Sequence, residues 1–117
     1  MEISIENADG ATIVSPQGRL DFAATTEFQQ KLQGAITGGE NPPSAVVVDC
    51  SGLSYLSSAG LRAFLIVARA AQSGGTPFLA CSLQKTVREV FDISGFSQFI
   101  VAHPDRAAAL ASLAGAK

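Results

Sequence analysis

Residues that carry chemistry are scarce in this chain. It has one histidine, His103, and two cysteines, Cys50 and Cys81. That set is too small for a tetrahedral zinc site, and a lone imidazole near the C-terminus is a weak general base for any serine. The patterns G-x-S-x-G, G-x-G-x-x-G and the phosphate-binding loop are missing, which removes the usual sequence grounds for reading an enzyme. Charge is sparse as well. With 8 basic and 10 acidic residues in 117, no Lys/Arg cluster provides a nucleic-acid footprint. The N-terminus alternates Glu2, Ile3, Ser4, Ile5, Glu6 instead of following a cationic start with an apolar run, and no apolar run reaches membrane-spanning length. The expectation is a cytoplasmic protein without membrane insertion, without direct nucleic-acid contact and without catalysis of its own. In that compartment Cys50 and Cys81 are expected to be small buried hydrophobes. Their places at the ends of two predicted strands make a disulfide or redox pair the alternative.

Apolar residues, by contrast, are plentiful, at 47 % of the chain. One domain, residues 1–117, is expected, long enough to bury roughly two-thirds of its unfolded surface around a single core. The stretch Ala45 to Val67 organises it. Ala45, Val46, Val47 and Val48 form a small, β-branched run suited to a strand covered on both faces. The run stops at Asp49, and Cys50 to Ser57, rich in serine with Gly52, reads as a connecting loop. From Ala59 the pattern turns helical, with Leu61, Phe64, Leu65, Ala68 and Ala71 or Gln72 on one face and Arg62 and Arg69 elsewhere. Ser57 or Ser58 then stands where the helix begins. The first N–H groups of a helix lack internal partners and carry partial positive charge, so a serine there caps them and a phosphate there is tolerated.

The rest of the chain reads in order. Glu2–Glu6 and Ala11–Pro16 form a hairpin through Asn7-Ala8-Asp9-Gly10. Gly18-Arg19-Leu20-Asp21 leads into a helix over about Phe22–Ile36, with Phe28, Leu32, Ala35 and Ile36 inward and Gly38-Gly39 at its end. Residues 40–44, with Pro42-Pro43, are a linker. After the central unit, Thr76–Cys81 is a strand. Val87, Val90 and Phe91, with Leu83 and Ile93, mark a short helix ended at Gly95. Phe99–Ala102 is a short strand, and Pro104 opens a helix over Asp105–Ala114. The sum is an α/β domain: a mixed sheet with an N-terminal hairpin, parallel in its later strands, and about four helices. Functional loops gather beyond the carboxyl ends of parallel strands, so Asp21, Asp49, Ser57, Ser58 and Ser82 are expected along one edge.

The run Asp49 to Leu61, D-C-S-G-L-S-Y-L-S-S-A-G-L, resembles the signature of the STAS domain (sulfate transporter and anti-sigma factor antagonist). G-R-L-D at 18–21 resembles its strand-to-helix turn, and V-R-E-V-F-D-I-S-G-F at 87–96 resembles its third helix and the turn after it. This resemblance implies a bacterial anti-sigma-factor antagonist, a partner-switching module. It places Ser58 on the family's phosphorylated serine, with Ser57 as an alternative acceptor because it stands where aspartate is usual; Ala59 stands where a second serine or threonine is often found. The partners it implies are an anti-sigma factor that is also a serine kinase, and a phosphoserine phosphatase. The domain itself then needs no cofactor, since ATP belongs to the kinase. The partner-binding surface would include Asp21, Asp49, Ser57, Ser58, Ala59, Gly60 and Arg62.

Each of these residues has a plainer role to weigh. Ser58 can be an N-cap, Asp49 can order its loop by accepting backbone N–H bonds, Asp21 can cap a helix, and Gly60 can serve tight internal packing. Tyr55 and Leu56 are expected in the core. Two further functions compete with switching. One is the STAS subunit of a lipid-transporting ABC system; the other is an anion- or nucleotide-binding module built on the helix N-terminus.

Overall fold

A computed structural model describes residues 2–8, 10–37 and 45–115. Among these the chain forms β1 (Glu2–Ala8), β2 (Ala11–Leu20), α1 (Thr25–Thr37), β3 (Ala45–Asp49), β4 (Leu53–Leu56), α2 (Ser58–Ser73), β5 (Phe78–Cys81), α3 (Lys85–Ser94), β6 (Val101–His103) and α4 (Arg106–Gly115). Short 3-10 turns at Phe22–Ala24 and Phe96–Gln98 precede α1 and β6. The strands lie in the order β1-β2-β3-β5-β6, with β4 beside the far end of β2. Only β1 runs antiparallel to its neighbour.

All five residues of β3 are buried, as the valine run requires of a strand covered on both faces. Side-chain alternation sorts them. Val46 and Val48 enter the larger core with α1, α2 and α3, whereas Ala45 and Val47 face Ala109, Leu110 and Leu113 of α4. Phe64 is the hub of the larger core. Its ring centroid lies 5.6 Å from Phe28, 5.7 Å from Phe78 and 5.4 Å from Phe91, within the range of favourable aromatic pairs.

The α/β architecture, the hairpin and the mixed sheet match the reading of the sequence, and several local features differ: Asn7 and Ala8, expected in the turn, extend β1, and the last strand begins at Val101 instead of Phe99. Residues 50–57 are not wholly loop, because Leu53–Leu56 forms β4. β2 does not stop at Pro16 but runs to Leu20, since its far end pairs with β4 (Gly18 with Leu53, Arg19 with Tyr55, Leu20 with Leu56) across an irregularity at Gly18/Arg19. The first turn of the expected Phe22–Ile36 helix is 3-10, and α1 proper begins at Thr25. Leu56 is buried as expected, but Tyr55, which pairs with Arg19 just past the register irregularity, is 40 % exposed. Ile93, one of the apolar residues that mark α3 in the sequence, is 89 % exposed; Val87 and Phe91 alone are buried on that helix. Asp9, Gly38-Gly39 and the 40–44 linker lie outside the described residues.

Candidate functional site

The end of β2 and the start of α2 are stitched together at one carbonyl. Leu20 O accepts hydrogen bonds from both the backbone N–H and the hydroxyl of Ser57, each at 3.0 Å. Ser57 is in extended conformation, and its Oγ in turn accepts from the N–H of Gly60 at 3.0 Å, which makes it the N-cap of α2. Its hydroxyl is therefore engaged both as donor and as acceptor. Gly60 permits this junction. A Cβ there would stand 2.7 Å from both the carbonyl oxygen and Cγ of Leu20, so internal packing accounts for the absence of a side chain.

Ser58 is a different case. It is the first residue of α2, it is exposed, and its hydroxyl makes no hydrogen bond among the described residues. The capping role open to either serine belongs to Ser57. Ala59 is half-buried, and Arg62 is exposed without an ion pair among the described residues. Asp21 is a cap, as expected: its Oδ1 accepts from Ala24 N–H at 3.1 Å, while its carbonyl accepts from Thr25 Oγ1 at 2.9 Å. One residue on, in the 3-10 turn that rests against α2, Phe22 is 83 % exposed. Tyr55 adds a second exposed ring, with the Arg19 guanidinium 4.1 Å from its centroid.

Asp49 does not join this group. It continues the alternation of Ala45 and Val47 and so turns toward α4. There its Oδ2 takes Arg106 Nη2 at 2.9 Å and Nε at 3.3 Å, and its Oδ1 takes the N–H of Ser51 at 3.0 Å. Arg106 also reaches Glu6 Oε1 at 2.7 Å and Ser15 Oγ at 3.4 Å, tying α4 to β1, β2 and β3. Burial works to raise the Asp49 carboxyl, but the Ser51 and Arg106 hydrogen bonds together hold it below the usual carboxylate value. The loop-ordering role weighed for Asp49 is thus present. Arg106 carries no motif and gave no signal in the sequence.

Ser82 lies in the turn after β5, in the left-handed region, and donates its N–H to the carbonyl of His103 at 3.1 Å. The two cysteines are free and buried, with Cys50 in the larger core and Cys81 in the smaller. Burial pushes both thiols up and keeps them unreactive.

The model of the STAS domain family matches residues 2–109. This chain belongs to the STAS domain family. Over 112 residues this STAS domain is 38 % identical to BtrV of Bordetella bronchiseptica, which is named as an anti-sigma factor antagonist; the match covers 95 % of this chain and 94 % of that protein. Among solved structures, an anti-sigma factor antagonist from Mycobacterium paratuberculosis superposes with a TM-score of 0.85 at 22 % identity, covering 95 % of this chain and 92 % of the other. Unphosphorylated SpoIIAA, another such antagonist, gives 0.81 at 21 % identity and 97 % coverage of both chains. At these identities the two structures speak to the fold. It is the STAS fold.

Proposed function

We propose that this STAS domain is an anti-sigma-factor antagonist that binds an anti-sigma factor when Ser58 is unmodified and releases it when Ser58 is phosphorylated. The observation that carries the reading is the division of labour between two adjacent serines. Ser57 spends its hydroxyl inside the domain, whereas Ser58 presents at the surface a hydroxyl without a partner among the described residues. A phosphate on Ser57 would remove the hydroxyl proton that Leu20 O accepts and set negative charge against that carbonyl, disturbing the β2–α2 junction. A phosphate on Ser58 disturbs nothing internal. The 38 % identity to BtrV supports the antagonist assignment.

The partner is an anti-sigma factor that is itself a serine kinase and carries the ATP; a phosphatase reverses the step. The domain acts by binding and turns nothing over. Its contact surface is the edge formed by Asp21, Phe22, Ser58 and Arg62. A phosphoserine there adds about −1.5 to −2 charges, and burying such a group unpaired in an interface costs several kcal/mol. Reversing occupancy from 99:1 to 1:99 takes about 5.5 kcal/mol, so charge of that size is sufficient.

Calorimetric titration of an anti-sigma factor kinase loaded with a non-hydrolysable ATP analogue tests the reading. The unmodified domain should bind, and the domain carrying phosphoserine at 58 should bind at least about 100-fold more weakly, near 2.7 kcal/mol. Equal affinity of the two forms, or co-purification with a permease and ATPase instead of a kinase, would refute it.

A further inference from the structure

Arg62 stands one helical turn beyond Ser58 on α2, and residues four apart are neighbours on a helix surface. Both side chains are exposed, and neither has a partner among the described residues. The other arginine of α2 is engaged: the Arg69 guanidinium lies 5.5 Å from the centroid of Phe99. An uncommitted cation therefore waits beside the one free hydroxyl of the serine pair. We infer that Arg62 is the internal receptor for a phosphate on Ser58, so that modification withdraws Arg62 from the partner-facing edge as it adds negative charge there.

The inference rests on the phosphorylation reading above and extends it from the site to its readout. With the anion N-terminal to the cation, the pair has the favoured i, i+4 orientation. A guanidinium also offers a planar fork that matches phosphate oxygens. In the unmodified domain Arg62 is free for an acidic group of the partner. In the modified domain it is held at home, so two changes act in one direction: a repulsive charge appears and an attractive one is removed.

The test installs phosphoserine at position 58 of the full chain by genetic-code expansion, without any kinase, and follows its second ionisation by phosphorus NMR at low salt. A nearby cation favours the dianion, so removing it raises that pKa. Arg62→Ala should raise it by about 0.3 unit, equivalent to about 0.4 kcal/mol. Arg62→Lys should recover most of the wild-type value, Arg69→Ala should leave it unchanged, and 1 M salt should erase the difference. Identical values for wild type and Arg62→Ala at low salt would overturn the inference. Because the phosphate is placed chemically, that failure is distinct from failure of any kinase to modify Ser58, which would count against the switching function instead.

Discussion

Asp49 and Ser58 belong to one short motif, yet the fold sends them to different surroundings. Asp49 faces α4, where every oxygen of its carboxylate is engaged by Ser51 or Arg106. Ser58 heads α2, which covers the opposite face of the sheet, and its hydroxyl has no partner among the described residues. The first region is closed and the second open. Between them lie β4 and the Ser57 cap, which fasten the start of α2 to the end of β2. The contrast teaches that one short motif can hold an engaged carboxylate and an exposed hydroxyl, because strand alternation turns Asp49 toward α4 while Ser58 opens α2.

Gly60→Ala attacks the fastening itself and should have the largest effect. The new methyl would meet backbone and side chain of Leu20 at 2.7 Å, and overpacking against a backbone carbonyl costs about 3 kcal/mol. Denaturant unfolding should show a lowered midpoint with an unchanged slope. A near-wild-type midpoint would mean that the junction is looser than the fold requires.

Asp49→Ala opens the closed region and should cost about 2 kcal/mol through lost charge-assisted hydrogen bonds. The effect depends on pH. Since the folded state holds this carboxyl below its ordinary value of 3.8, its stabilisation is fully present above that pH and is lost as pH falls through the folded value. Acid titration of stability should be shallower in the variant. Parallel acid limbs in the two proteins would show that Asp49 is not the group responsible.

Much of this was legible in the sequence, for reasons that separate local from distant causes. The valine run of β3, the inward face of α2 and the end of α3 at Gly95 follow from residues close together, and Gly95 does adopt the left-handed cap conformation with φ 81°. β4 was hidden because Leu53–Leu56 is short and polar in its middle, and becomes a strand only by pairing with Gly18–Leu20. The Asp49–Arg106 pair was hidden because its members lie 57 positions apart and Arg106 sits in an Ala-rich tail. Phe22 could not be singled out, since a phenylalanine next to a helix start reads as core; only the 3-10 turn leaves it outside. Sequence placed a serine at the head of α2, and the choice between Ser57 and Ser58 needed the Leu20 carbonyl.

The smaller effects sharpen that choice. Ser57→Ala removes a cap and should cost about 1 kcal/mol, measured by thermal unfolding. Ser58→Ala and Phe22→Ala remove exposed groups and should stay within about 0.5 kcal/mol of wild type, while Phe22→Ala should still weaken kinase binding about tenfold. Equal costs at 57 and 58 would erase the distinction between capping and displayed serine.

The most direct test of the central claim is peptide mass spectrometry after incubation with ATP and the anti-sigma factor kinase, run on wild type, Ser57→Ala and Ser58→Ala. A single phosphate on the Ser58 peptide, retained in Ser57→Ala and absent from Ser58→Ala, is the predicted result. A phosphate that maps to Ser57, and disappears only when Ser57 is replaced, would contradict the account.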